Sequence, residues 1–301
     1  MRVTGSMQNI QLLRNLRNIN TSMTQGQQQL ATGQRISKPS DDPVGLTYQM
    51  RYDTDLARSN EFLMNAQTGT EILKTMDSLM QQASDVLKRA RTLTLQAANG
   101  TLDAQQRGTI SAEIKQLKEQ MVTIGNSTYN GRYLFNGQKT DEPPYPVAAD
   151  AAEAQTDDGL FYLNVSPSVK VPVSITGEVI FGRANSATDP NDNVFKVLDD
   201  LANALDANSL PGINASLDKI DASVDSITIS WAEIGARMNR FELMENRITT
   251  EQVSLKEQRS NVADVDFSEA IINLKMKENV LQGALSTGAR IMQTSLVDFI
   301  R

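Results

Sequence analysis

The nine prolines of this chain are confined to a few short stretches. None occurs from 1 to 38, from 44 to 142 or from 212 to 301. Proline removes a helical hydrogen bond and clashes with the preceding turn, so these are the stretches where long helices can run. Each also carries apolar residues at steps of three and four, the spacing that lines one side of a helix.

From 44 to 98 the stripe reads Phe62, Ala66, Gly69, Leu73, Met76, Met80, Ala83, Leu87, Ala90. A second row, Ile72, Leu79, Val86 and Leu93, runs beside it at intervals of seven. Two rows make a broad buried face, so this helix should meet more than one neighbour. Asn99-Gly100 should end it. A shorter helix follows with Ile110, Ile114, Leu117, Met121 and Ile124 on one side. After Asp189-Pro190 the spacing returns in Val194, Leu198, Leu201 and Leu205.

Pro211-Gly212 then opens the longest expected element, with Ile213, Leu217, Ile220, Val224, Ile227, Trp231, Ile234, Met238 and Phe241 on its seam. One row continues through Ile248, Leu255 and Val262, while the other turns polar at Glu245, Gln252 and Arg259. The seam should therefore narrow toward that end. A helix of about 50 residues spans about 75 Å.

Both ends carry their own stripes: Leu12, Leu16, Ile19, Met23 and Leu30 near the start, and Phe267, Ile271, Leu274, Leu281, Leu285, Met292 and Phe299 near the finish. Chain ends usually fray, so a stripe that runs to the last residues is built to pair with something. These twelve residues are the expected subunit or partner interface. Between the arms, Asp42-Pro43 reads as an N-cap followed by proline at the first helical position.

The middle differs. Asn130-Gly131 and Asn136-Gly137 flank Arg132-Tyr133-Leu134-Phe135, a short hairpin or extended corner. Pro143-Pro144-Tyr145-Pro146 reads as a stiff linker, and 147–158 as a surface loop. Residues 160–182 alternate with period two: Phe161, Leu163, Val165, then Val169, Val171, Val173 and Ile175, with Val179 and Phe181 continuing after Gly177. This is a small β unit, with Pro167 and Pro172 marking edge strands. The expected fold is mainly α: an elongated helical rod with paired N- and C-terminal coiled-coil helices and a small inserted β domain. Three parts are expected: 1–42 with 263–301, 43–137 with 190–262, and 138–189.

Composition narrows the chemistry. There is no cysteine and no histidine, which removes disulfides, thiolate nucleophiles, Ser-His triads and the common zinc sites. Asp157-Asp158 and Asp199-Asp200 are sequence neighbours, which do not face each other on a helix, so they read as solvated charges rather than an acid–base pair. No Gly-rich phosphate loop is present. Met76, Met80, Met121 and Met238 fall on helical seams and read as packing. No catalytic, cofactor-binding or metal residue is expected, and no cofactor.

Net charge is −7, unevenly placed. Residues 1–40 hold no Asp or Glu, whereas 139–225 hold 15 acids against 5 bases. An acidic middle argues against nucleic-acid binding along the chain, and the basic N-terminus lacks the aromatics that stack bases. No run of roughly 18 apolar residues marks a membrane span. No cleavable secretory signal is expected. The acid-free start looks superficially like a transit peptide, but it continues into a long apolar stripe.

Several motifs carry a resemblance. Leu30-Ala31-Thr32-Gly33-Gln34-Arg35-Ile36, followed by Pro39-Ser40-Asp41-Asp42-Pro43-Val44-Gly45-Leu46, resembles the N-terminal signature of the bacterial flagellin family. Arg89-Ala90-Arg91, Gln96-Ala97-Ala98-Asn99-Gly100-Thr101 and Asn130-Gly131-Arg132-Tyr133-Leu134-Phe135-Asn136-Gly137 resemble it too. So does the pattern from Asn261 to Arg301. The likeness covers about 1–137 and 190–301. The prolines bracketing Ser40-Asp41-Asp42 depart from the usual filament flagellin, which tends to be Ala-rich there, and look more like the branch at the hook–filament junction.

The resemblance implies a structural, non-enzymatic component of the bacterial flagellum, joining the hook to the filament. It implies export through the flagellar type III apparatus to an extracellular place in the flagellum. The implied partners are hook-associated protein 1, flagellin, neighbouring subunits of its own kind and a cytoplasmic export chaperone. A minor filament flagellin and a soluble coiled-coil regulator are the alternatives. In an isolated subunit the terminal stripes should be disordered and fold on assembly.

Overall fold

The computed structural model describes residues 5–100, 102–147, 150–184 and 193–299. It is mainly α, with two small antiparallel sheets. The helices and strands run α1 (Gly5–Thr32), α2 (Pro43–Ala97), α3 (Ala104–Gly125), β1 (Thr128–Tyr129), β2 (Arg132–Tyr133), β3 (Tyr162–Ser166), β4 (Val169–Pro172), α4 (Gly177–Phe181), α5 (Val194–Asp206), α6 (Leu210–Ala263) and α7 (Phe267–Phe299). The chain divides into two compact units, 1–58 with 251–301 and 59–250.

In the first unit α1 and α7 lie antiparallel. A Cβ built on Gly33 would stand 3.6 Å from Phe267 Cζ, and one on Gly26 would stand 3.7 Å from Leu274 Cδ1. Further along, Gly288 faces Leu12. Lys277 Nζ donates to the Ser22 carbonyl at 3.2 Å. Gly33, at φ 71°, closes α1 in the left-handed conformation that glycine adopts without cost.

The flagellin-like signature stitches the corner that follows. Arg35 N donates to Ala263 O at 2.7 Å, and Val265 N to Gly33 O at 3.0 Å. Arg35 Nη2 reaches the Val262 carbonyl at 2.7 Å and Asp42 at 3.3 Å. Asp41 Oδ2 accepts from Ser37 N, Ser37 Oγ and Lys38 N. Asp42 Oδ1 accepts from Gly45 N at 2.8 Å, so Asp42 caps α2 ahead of Pro43, as its position in the sequence suggests. A side chain at Gly45 would press on Ile36 and on the capping carboxylate of Asp42, so a larger residue there would have to displace them.

In the second unit α2 and α6 run antiparallel. Their partners fall in order: Gln67 with Glu245, Asp77 Oδ1 with Trp231 Nε1 at 2.5 Å, and Arg91 with Asp221. Ile213, Ile220, Ile227, Ile234 and Phe241 of α6 are buried, against Ala66, Leu73, Met76, Met80, Leu87 and Ala90 of α2. Gly69 lies directly under the Phe241 ring. Both helices exceed 50 residues, α2 being the longer at 55 against 54. A capping box at Asp103 and Gln106 starts α3. α5 buries Val194, Phe195, Leu198, Leu201 and Leu205. Ser111 Oγ and the Lys118 ammonium tie α3 to α5 through Ala202 O and Asp199.

The hairpin forms as its sequence requires. Asn130 and Gly131 both take positive φ, 50° and 76°, the type I′ geometry that suits a two-residue turn. β1 pairs β2 with Tyr129 opposite Arg132.

The insertion departs from the sequence reading in three places. Val179 and Phe181 do not extend the strands; they lie on the short helix α4, because Gly177 N turns inward to the Phe135 carbonyl at 2.8 Å. The Pro143–Pro146 stretch is not only a stiff linker, since Tyr145 is fully buried and belongs to the core. Nor is 147–158 wholly a surface loop: Ala151 and Ala152 join the core. The first two corrections share a cause, a cluster of rings. Phe181 meets Phe135 and Tyr145 edge-on at centroid distances of 5.6 and 5.9 Å, and Tyr145 lies 4.6 Å from Phe195 of α5. Tyr145 wedges between Gly125 and Gly177, where any Cβ would collide with its ring or hydroxyl. Burial raises the Tyr145 hydroxyl pKa, with the Glu178 carboxylate adding to the effect.

Candidate subunit interface

The terminal stripes split into two kinds of position. On α1, Leu12, Leu16, Ile19, Met23 and Leu30 are half-buried. On α7, Leu274 and Leu281 are half-buried, but Phe267, Ile271 and Leu285 stay 53%, 51% and 54% exposed. The side chains of Met292 and Phe299 lie outside the described residues. Each arm is thus a partial partner for the other, and much apolar surface is left over.

A second exposed row went unread in the sequence. Ile272, Met276 and Val280 of α7 are 62%, 57% and 50% exposed. Spaced by four, they lie roughly half a turn round from Leu274 and Leu281. On α1, Met7, Ile10 and Leu13 are likewise exposed, on the side away from Leu12 and Leu16. The signal was in the sequence: a helix that packs on one neighbour keeps its other faces polar, and these do not. Apolar residues in rows mark a surface that meets a further partner.

The small residues facing this pairing also carry meaning. Gly26 and Gly288 are buried where α1 and α7 meet, and a Cβ on Gly288 would stand 2.7 Å from Leu12 Cδ2. Small residues let two helices approach closely, as ridges of one fill gaps of the other.

Of the acid pairs, Asp158 is exposed, while the other three carboxylates are partly exposed and each has a partner. Asp199 binds Lys118 at 2.6 Å, and Asp200 binds Lys196 at 2.7 Å and Lys219 at 3.5 Å. Asp157 Oδ2 accepts from Gln138 N and Gly159 N, fixing a turn. The polar row of α6 has partners too: Arg259 bridges Asp53 at 2.6 Å and Asp264 at 3.5 Å. Among the described residues no three acidic side chains converge as a metal would require, and no helix is long and apolar enough to cross a membrane.

Two further features went unread. Ser216, Ser223, Ser230 and Arg237 form a seven-spaced polar row beside the α6 seam. Ser230 Oγ and Ser226 Oγ donate to the Val179 carbonyl, and Arg237 Nη1 to Ser174 O at 2.7 Å. Ser230 and Arg237 of this row, with Ser226 beside it, hold the insertion, while Ser216 and Ser223 donate back to carbonyls of α6. Arg107 is buried, and its guanidinium donates to the carbonyls of Ala97 and Asn99 and to Asn208 Oδ1. It closes the end of α2 and the α5–α6 turn together.

Comparison with known proteins places this arrangement. The Bacterial flagellin N-terminal helical region matches residues 3–140, and the Bacterial flagellin C-terminal helical region matches 217–300. The chain belongs to the bacterial flagellin family and is a structural component of the flagellum that associates with other flagellar components. Flagellar hook-associated protein 3 of Escherichia coli (strain K12) is 25% identical, over 94% of this chain and 95% of its own length. Its Salmonella typhimurium counterpart is 23% identical over the full length of both. In structure, the flagellar hook associated protein-3 from Legionella pneumophila shares the fold with a TM-score of 0.62 at 16% identity, over 71% of this chain and 98% of that one.

Proposed function

We propose that this chain is the junction subunit between hook and filament, seated on hook-associated protein 1 and followed by flagellin. The observation that carries it is full-length similarity to flagellar hook-associated protein 3, combined with terminal helices whose apolar rows exceed what their own pairing covers. Leu12, Leu16, Ile19, Met23, Leu30, Phe267, Ile271, Leu274, Leu281, Leu285, Met292 and Phe299 form the interface, extended by Ile272 and Met276. The half-buried residues of both stripes hold α1 against α7; the exposed Phe267, Ile271 and Leu285 meet neighbouring subunits.

Before assembly the exposed rows of α7 need cover, which a cytoplasmic export chaperone supplies. The subunit leaves through the flagellar type III apparatus and works outside the cell, by packing rather than turnover. Its segments divide as 1–42 with 263–301, 43–137 with 190–262, and 138–189.

The test is to delete the gene and follow flagellin. Flagellin shed unpolymerised into the medium, with hooks intact, is the expected result. Normal filaments in the deletion strain, or filaments built by this chain alone, would overturn the junction role.

A further inference from the structure

The sequence contains three Asn-Gly pairs that punctuate its turns: Asn99-Gly100, Asn130-Gly131 and Asn136-Gly137. Asn-Gly is also the dipeptide most prone to spontaneous rearrangement, because glycine leaves the following backbone nitrogen unhindered. Asn99 and Asn130 are both exposed beside open glycines, whereas Asn136 is enclosed, and the first two differ in how their backbones are held.

Asn136 is locked. It is buried, its Nδ2 donates to Glu142 O at 3.0 Å, and its Oδ1 accepts from Asp157 N at 3.1 Å. Gly137 is enclosed as well, since a Cβ there would collide with the Asp157 carbonyl. At Asn99 the backbone is tethered: its carbonyl accepts from Arg107 Nη2 at 3.2 Å and Leu102 N at 3.3 Å. Asn130 is exposed at the hairpin tip, and a Cβ on Gly131 would meet nothing within 4 Å. The strands on either side have two residues each, and so short a hairpin opens easily.

We propose that Asn130 is a site of spontaneous modification, where deamidation and isomerisation remodel the β1–β2 hairpin of the mature subunit. The Gly131 backbone nitrogen attacks Cγ of Asn130. A new N–C bond closes a five-membered succinimide, the bond from Cγ to Nδ2 breaks, and ammonia leaves with the proton from the Gly131 nitrogen. Water then opens the ring at either carbonyl, giving aspartate or isoaspartate. No oxidant or cofactor is involved.

The two products differ in consequence. Aspartate tolerates the left-handed conformation that Asn130 holds at φ 50°, so it keeps the turn. Isoaspartate inserts a methylene into the backbone, and the two-residue type I′ turn cannot absorb it without losing the Tyr129–Arg132 pairing. The hairpin carries Tyr129, Arg132 and Tyr133, which line a cleft of about 560 Å³ with Ile72, Met76 and Phe161. Rearrangement at the tip therefore alters the wall of that cleft. Tyr129 Oη also donates to Glu71 at 2.6 Å, a link to α2 that the opened hairpin would lose.

The test is to incubate the folded protein at mildly alkaline pH and map peptides by mass spectrometry, separating aspartate from isoaspartate, with a urea-unfolded sample alongside. Asn130 should convert fastest in the folded chain, at least tenfold ahead of Asn136, while in urea the two should convert at similar rates. Equal rates in the folded chain, or an Asn130 amide that persists when unfolded Asn130 converts, would overturn the site. For the remodelling, trypsin should cut after Arg132 faster in the isoaspartate fraction than in Asn130→Asp. Equal cutting would show that the hairpin survives the isomerisation.

Discussion

Single residues hold the corners of this molecule, and Arg107 shows how. Its buried guanidinium is shared by two carbonyls and an amide; of these acceptors the Ala97 carbonyl is buried, whereas Asn99 and Asn208 are exposed, so its removal strands the Ala97 carbonyl above all. Each such group costs about 1–3 kcal/mol. Arg107→Leu should therefore lose about 1–3 kcal/mol in urea unfolding, and Arg107→Lys should lie between, since one ammonium cannot reach the same fork of acceptors. A wild-type midpoint for Arg107→Leu would mean that the carbonyls find other donors.

Asp42 gives a pH-dependent counterpart. The Gly45 N–H, and then Arg35, hold its carboxyl below the ordinary value of 3.8, against an opposing desolvation effect. A depressed carboxylate stabilises the fold above its unfolded pKa and loses that contribution as pH falls through the lowered folded value. Asp42→Asn keeps a capping oxygen but cannot titrate. Acid unfolding curves of the two proteins should therefore converge below the normal carboxylate range and separate above it. A constant gap at every pH would show that the charge of Asp42 does not matter.

At the scale of the helix, periodicity told most of the story. The 4-3-4-3 seam from Ile213 to Phe241 is buried at every second member, and Asp42-Pro43 and Asn130-Gly131 shape their turns as local chemistry requires. A one-dimensional pattern was weaker on which of several apolar rows meets a neighbour within the chain. Ile272, Met276 and Val280 are as apolar as Leu274 and Leu281, yet they point away.

Paired substitutions separate the two roles. Ile234 is wholly buried, so Ile234→Asp should cost roughly 3–5 kcal/mol through a lost side chain and a buried carboxylate. Leu285 is more than half exposed, so Leu285→Arg should leave the thermal midpoint near wild type while blocking filament restoration in a deletion strain. A large fall in midpoint for Leu285→Arg would place that side chain inside the isolated subunit. Unimpaired filaments would remove it from the interface.

Across the chain, the least legible part was the insertion. Period two gave β3 and β4, but nothing local marks Tyr145 or Phe181 as core, because their partners, Phe135 and Phe195, lie at distant points in the sequence. Prolines around Tyr145 suggested a stiff linker, whereas long-range ring packing decides its place. The insertion is therefore part of the core of the second unit, and excising it should be costly. Removing 141–188 with a short flexible link would take Tyr145, Val171, Ile175 and Phe181 out of the core of the second unit and expose Phe135 and Phe195 to water. It would also leave Arg237, Ser226 and Ser230 without the carbonyls they bind. Losing one buried aromatic costs about 3–5 kcal/mol, and a domain's whole stability is about 5–15 kcal/mol. The deletion should therefore lower the thermal midpoint sharply and reduce helical circular dichroism, and Tyr145→Ala should reproduce part of the fall. Full helix content and an unshifted midpoint in the deletion would show that α2, α3, α5 and α6 close their own core, and that the insertion is a spacer after all.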